Sequence, residues 1–214
     1  MAVIPAINET NFQSVKERIK QAQSFGAEWV HIDVADGKFT KNILWNNPED
    51  LENLYTTDYE PRTNFEVHLM VENPDEVLDE WLDAGVKRVI VHVESARDVD
   101  IMKMKCLALG IEFVLASNPD TQVDKLLEYK NDVDGFLVLA VNPGLAGQKF
   151  QENQLEKIKT LRQKSPDAKI EVDGGVNLET APKIKTAGAD ILVAASAVWG
   201  SKSPKSAYLD LLNI

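Results

Sequence analysis

The feature that most constrains this chain is an eightfold alternation of short β-branched runs with longer stretches of helical period. The strand-like runs fall at Val3–Ile7, Trp29–Val34, Asn64–Met70, Arg88–Glu94, Glu112–Ala116, Gly135–Val141, Lys169–Asp173 and Ile191–Ala194. Between them lie amphipathic segments such as Phe12–Phe25, Pro74–Ala84, Ile101–Leu109, Val123–Tyr129, Leu155–Lys164 and Leu178–Ala187. Gly26, Gly85, Gly110 and Gly188 stand where four of these helices should stop. Regular alternation implies a parallel sheet, because the path back to the start of a parallel strand crosses a sheet face that a helix must cover. Eight repeats favour closing that sheet into a (β/α)8 TIM barrel, an α/β fold that needs roughly 200 residues or more. The 214 residues meet that need near its lower end, and no linker or low-complexity stretch divides them, so 1–214 reads as a single barrel domain.

Residues i and i+2 of a strand share a face. That places His31 with Asp33, Glu66 with His68 and Met70, His92 with Glu94, and Glu171 with Asp173, while Ile32, Val67, Leu69, Val93 and Val172 take the opposite face toward the helices. The polar set therefore points into the barrel, at the strand ends where barrel chemistry sits. Five carboxylates and three histidines converging there require protons or a cation to balance them. His31, Asp33, His68 and Asp173 offer two imidazoles and two carboxylates, a set suited to zinc, iron, manganese or cobalt more than to calcium or magnesium. His92 and Glu94 are read as partners that orient those ligands.

Two loops look built for an anion. Asn142 to Gln148 follows the sixth strand and Gly174-Gly175-Val176 follows the seventh, just before an expected helix. Glycine lets backbone N–H groups close around a phosphate, and a following helix N-terminus favours the negative charge.

Charge narrows the partners. With 34 acidic against 23 basic side chains the net charge is −11, which repels phosphate backbones and anionic lipid, so neither nucleic acid nor a membrane surface is an expected partner. The apolar runs are far shorter than the ~20 residues of a membrane helix. One cysteine, Cys106, excludes an internal disulfide framework; beside Met104, Leu107 and Leu109 it reads as core filling. No basic and apolar leader opens the chain, so a cytoplasmic location is expected.

Six ordered motifs resemble the ribulose-phosphate 3-epimerase family from the first strand to the eighth. They are His31-Ile-Asp-Val-Ala-Asp-Gly37 with Phe39 and Asn42, Val67-His-Leu-Met-Val71, Val91-His-Val-Glu94, Val141-Asn-Pro-Gly-Leu-Ala-Gly-Gln-Lys-Phe150, Val172-Asp-Gly-Gly-Val176, and Ala187-Gly-Ala189 leading into Val193-Ala-Ala-Ser-Ala197. The resemblance implies an isomerase of carbohydrate metabolism, in the pentose phosphate pathway, with one divalent metal ion on His31, Asp33, His68 and Asp173. Asp33 and Asp173 would then be the catalytic acid/base pair on opposite faces of a small phosphorylated sugar. Substrate or phosphate contacts would fall to Ala6, His68, Met70, Gly144, Leu145, Ala146, Gly147, Gly174, Gly175, Ala195 and Ser196. Family members are commonly homo-oligomers, and the same is expected here, with Trp45, Trp81 and Trp199 as contact or core residues.

The chain departs from the family pattern at several substrate-shell positions. Ala6 stands where the family usually has serine, Ala35 and Leu139 where it has methionines, and Ala146 and Ala195 where it has glycines. Asn8 is expected one layer away from the missing hydroxyl. Widening at Ala35 would favour a 3-epimerase of a hexulose 6-phosphate. A related aldolase or decarboxylase is disfavoured because no lysine occupies an inward strand end, and a catalytically silent sugar-phosphate binder would not need two opposed aspartates.

Overall fold

The computed structural model describes residues 1–56 and 63–214. Its eight strands are β1 (Ala2–Ile7), β2 (Trp29–Ala35), β3 (Asn64–Met70), β4 (Arg88–His92), β5 (Glu112–Ser117), β6 (Gly135–Leu139), β7 (Lys169–Asp173) and β8 (Ile191–Ala194). All pair in parallel with their chain neighbours, and β8 returns to β1 to close the barrel. The helices are α1 (Phe12–Ser24), α2 (Pro48–Thr56), α3 (Pro74–Asp83), α4 (Val99–Ala108), α5 (Asp124–Leu127), α6 (Gln154–Lys164), α7 (Ala181–Ala187), α8 (Ser196–Trp199) and α9 (Pro204–Leu212).

The main apolar layer lies between sheet and helices. Ile32, Val67, Leu69, Val91 and Val172 meet helix residues such as Ile19, Leu78, Trp81, Ile158 and Ile184 there. Trp81 of α3 is fully buried, with its ring edge against Trp45 at 5.6 Å between centroids. Truncating a buried aromatic of this size costs about 3–5 kcal/mol. Trp45 and Trp81 are thus core residues, and Trp199 packs on Phe25. Cys106 is buried as expected, but Met104, Leu107 and Leu109 beside it are exposed on the outer face.

The barrel interior is divided. Ile90, Val114, Ala116, Leu137, Leu139 and Val141 form an apolar cluster toward β4, β5 and β6, while the inward polar residues of β2, β3 and β7 occupy the rest. Register stacks them in layers: Glu66 pairs with His31 on one side and Arg88 on the other, Arg88 pairs with Glu112, and His68 pairs with Asp33.

Several element ends differ from the sequence expectation. β4 stops at His92 because the N–H groups of Ser95 and Ala96 turn back onto its carbonyl, so Glu94 lies in a turn. β6 ends at Leu139 rather than Val141. α4 starts before Ile101, capped by the Asp98 side chain, which accepts from the Ile101 N–H at 2.9 Å. α7 begins at Ala181 instead of Leu178, with Pro182 in its first turn, so it does not abut Gly174–Gly175. The short α5, and the helices α2, α8 and α9, complete the set.

Candidate active site

The inward side chains are arranged in two levels. At the C-terminal mouth, His31, Asp33, His68 and Asp173 each present a ligand atom within 4.8 Å of the others. His31 Nε2 lies 3.2 Å and His68 Nδ1 lies 3.1 Å from Asp33 Oδ1. Each imidazole is held from behind. Glu66 Oε1 accepts from His31 Nδ1 at 2.7 Å, which turns His31 Nε2 toward the cluster. His68 Nε2 meets His92 Nε2 at 2.8 Å, and His92 Nδ1 lies 3.1 Å from Glu94 Oε2. For a centre with a cation bound, one proton order would suit that chain: Glu94 accepts from His92 Nδ1, His92 accepts from His68 Nε2, and His68 Nδ1 is left to ligate. Glu94 is itself fixed by the Asn118 N–H at 2.8 Å and by the Thr121 hydroxyl. Two imidazole nitrogens and two carboxylates converge, a donor set that fits a divalent transition metal once its protons are displaced.

Below the mouth the carboxylates meet a cation supplied by the chain. Arg88 Nη1 donates to Glu66 Oε2 at 2.5 Å and lies 3.6 Å from Glu171 Oε2, while its Nε donates to Glu112 Oε2 at 2.7 Å. Arg88 was not picked out by sequence reasoning; its phase with His92 along β4, two inward steps apart, is the signal that places it inside. Glu66 and Glu171 thus belong to a floor with an arginine of its own, and only part of the acidic cluster calls for an added cation.

Protonation differs within each level. Burial and the neighbouring Glu66 charge push Glu171 well above the usual carboxylate range. Burial also opposes ionisation of Glu66, but the His31 hydrogen bond and the charges of His31 and Arg88 prevail and hold it low. At the mouth, burial works against the Asp33 carboxylate, yet hydrogen bonds from His31 and His68 pull it far below its ordinary value. Asp173 moves the other way, raised to about 7 by burial and by the Asp33 charge. Burial lowers His68 to about 4, whereas His31 is raised well above 6.5 because Asp33 and Glu66 outweigh the same penalty.

A cavity opens above this cluster. Asn8, Asp33, Met70, Leu139, Asp173, both expected loops and Ala195–Ser196 line it. Gly144, Leu145, Ala146, Gly147, Gly174 and Gly175 are therefore together at one wall. No hydrogen bond among the described residues uses the backbone N–H of Gly144, Leu145, Ala146, Gly147 or Gly175. The loop carbonyls are taken instead: Gln148 donates to Asn142 O at 2.7 Å and Leu145 O at 2.9 Å. Gly175 has φ +68, and a Cβ there would sit 2.3 Å from the Phe150 nitrogen, so this close approach of two loops requires glycine. Among the described residues no lysine or arginine lines the cavity wall; an anion there would be held by backbone N–H groups.

Four expected placements change. Ala6 is fully buried and does not reach the cavity; its carbonyl accepts from Trp199 Nε1 at 2.6 Å. His68 likewise sits behind the lining. Asn8, expected a layer away, points into the site: its amide donates to Asp33 Oδ2 and to Gly144 O, both at 2.9 Å. It follows the end of β1, where the chain leaves strict alternation, and so escapes a period-two rule. Ala35 is buried in a cluster with Leu44 and Met70, against which Phe39 packs, so the smaller side chain does not widen the cavity.

The closed barrel has many solved counterparts. It matches 3-keto-L-gulonate-6-phosphate decarboxylase from Vibrio cholerae O1 biovar El Tor with TM-score 0.75 at 13% identity, covering 100% of this chain and 97% of that one. A 3-hexulose-6-phosphate synthase gives TM-score 0.72 at 16% identity, covering 99% and 98%. At such identities the likeness is one of fold. Sequence relatives are nearer. The ribulose-phosphate 3-epimerase of Bacillus subtilis (strain 168) is 36% identical over 98% of this chain and 97% of its own length. That of Methanocaldococcus jannaschii is 34% identical over 96% and 87%. A family model described as ribulose-phosphate 3 epimerase matches residues 2–199. With that match running from β1 to α8, and the motif residues gathered at one barrel mouth, this chain belongs to the ribulose-phosphate 3-epimerase family.

Proposed function

We propose that the chain inverts C3 of a ketose phosphate, with D-ribulose 5-phosphate and D-xylulose 5-phosphate as the interconverted pair. The observation that carries this reading is the pair Asp33 and Asp173, which line one cavity with their carboxyl groups driven in opposite directions. Two acids of matched chemistry but opposed protonation suit a reaction in which one takes a proton and the other returns one. The ketose stands with its phosphate against the backbone N–H groups of Gly144–Gly147, Gly174–Gly175 and Ala195–Ser196, and C3 between the aspartates. Asp33 takes the C3 proton, forming an enediolate. Asp173, poised near neutrality, delivers a proton to the other face, and the reverse reaction exchanges the two roles. Asn8 aligns the Asp33 carboxylate and ties it to the phosphate loop through Gly144. A divalent cation held by His31, Asp33, His68 and Asp173, zinc, iron, manganese or cobalt, would supply Lewis-acid stabilisation of the developing negative charge. His92 and Glu94 keep His68 in the tautomer that ligation needs.

A coupled assay converting ribulose 5-phosphate to xylulose 5-phosphate tests the reading. No turnover with saturating zinc, iron or manganese sinks the substrate assignment, and comparison with a six-carbon ketose phosphate decides between chain lengths. A homo-oligomer accompanies this reading. Its support is the apolar outer face of α4, where Ile101, Met104 and Leu107, with Leu109 just beyond, are 53–69% exposed. Sedimentation of a Met104→Glu variant against the parent tests that face. No described helix is long and apolar enough to cross a membrane.

A further inference from the structure

We infer that Arg88 is a positioning residue for the metal-binding cluster, acting through Glu66 on His31 from the floor of the barrel. The inference rests on the reading of His31 as a ligand. Arg88 lies in register between two glutamates on adjacent strands, Glu66 of β3 and Glu112 of β5. Its side chain is only 4% exposed. Three contacts immobilise the guanidinium. Nη1 donates to Glu66 Oε2 at 2.5 Å, Nε and Nη2 both reach Glu112 Oε2 at 2.7 and 2.6 Å, and the Trp29 ring lies 4.4 Å from the guanidinium carbon. Glu112 is anchored in turn by Lys169 Nζ at 2.7 Å at the outer rim.

The connection to the mouth runs through Glu66, whose two oxygens are divided between partners. Oε2 is held by Arg88, and Oε1 takes the His31 Nδ1 proton. With one oxygen held by Nη1 of a guanidinium fork that Glu112 clamps through Nε and Nη2, and the other by His31, the carboxylate cannot rotate, and the His31 ring is fixed with Nε2 turned toward Asp33, 3.2 Å from Oδ1. A lysine would keep the charge but not the fork, because an ammonium is a point donor on a flexible stem. The competing role is that Arg88 only neutralises buried acids. That role predicts changed stability with an unchanged metal site in molecules that remain folded.

Co2+ alone, titrated into metal-stripped protein, separates the two by affinity and by its visible absorption bands, which report ligand geometry. Arg88→Met should weaken Co2+ binding about 10–100-fold and alter the bands. Arg88→Lys should fall between Arg88→Met and the parent. Glu112→Gln loosens the arginine without removing it and gives a smaller loss of the same kind, so the test stands if Arg88→Met fails to fold. Folded Arg88→Lys and Glu112→Gln with parental affinity and spectrum overturn the inference. A parent protein that takes up no Co2+ at all overturns the metal-centre reading, and this inference with it, which distinguishes the two failures.

Discussion

The floor and the mouth of the barrel contain similar chemical groups and treat them differently. At the floor, Glu66, Glu112 and Glu171 surround Arg88, and Lys169 closes the chain of ion pairs at the rim. There the chain supplies two permanent cations of its own against three carboxyl groups. At the mouth, Asp33 and Asp173 meet imidazoles and the Asn8 amide but, among the described residues, no lysine or arginine, and relief falls to protons, with His31 and Asp173 both raised. An arginine is fixed for good, whereas a proton can be exchanged. The comparison teaches that a buried acid cluster is structural where the chain brings its own permanent cation, and available for chemistry where it relies on protons.

The strongest way to break this contrast is at the mouth. Asp173→Asn should lower kcat about 10²–10⁴-fold while sugar-phosphate affinity changes little, measured by coupled assay and by titration with a non-reacting analogue. Equal activity would remove Asp173 from the reaction. At the floor the loss should be of stability. Arg88→Met leaves Glu66 buried without its cation and should cost about 3–5 kcal/mol in denaturant unfolding. Asp173→Asn in metal-stripped protein relieves repulsion from Asp33 and should cost nothing or stabilise. If the two variants unfold alike, the levels are not electrostatically distinct.

A third effect sharpens the proton argument. A cation must displace the protons of Asp173, held to about 7, and of His31, raised above 6.5. Metal affinity should therefore fall as pH drops from 8 to 6, approaching about tenfold per unit for each displaced proton once pH is below that group's pKa. Affinity that does not change over this range would mean the donors are already bare.

The smallest expected effect lies at the edge of the mouth. Glu94 is held down to about 2, against the burial penalty, by His92, Thr121 and Asn118. A lowered carboxylate contributes stability above its unfolded value near 4.5 and loses it as pH falls toward 2. Glu94→Gln should cost roughly 1 kcal/mol at neutral pH, screening by solvent included. The gap from the parent should close between pH 4.5 and 2. A gap that persists at the acid end would assign Glu94 a packing role instead.

Much of this could be read before any coordinates. Alternating β-branched and amphipathic runs determined the closed barrel, since parallel strands joined by helices have few other ways to bury both faces. Period two along β2, β3 and β7 determined that His31, Asp33, His68 and Asp173 point inward, because side-chain direction in a strand is a local property. The same period gathered five carboxylates at the inward strand ends, although Arg88 turned out to serve two of them. What local rules could not supply was which groups meet. The phase of β4 turns Arg88 inward, but only barrel register set it between Glu66 and Glu112, and Asn8 lay outside the regular strand until loop closure brought it to Asp33 and Gly144. Ala35 read as added space, but Leu44, Met70 and Phe39 fill it from other segments. Those outcomes depend on distances between residues far apart in sequence, which only tertiary packing determines, and they separate the acids that hold the barrel together from those free to move a proton.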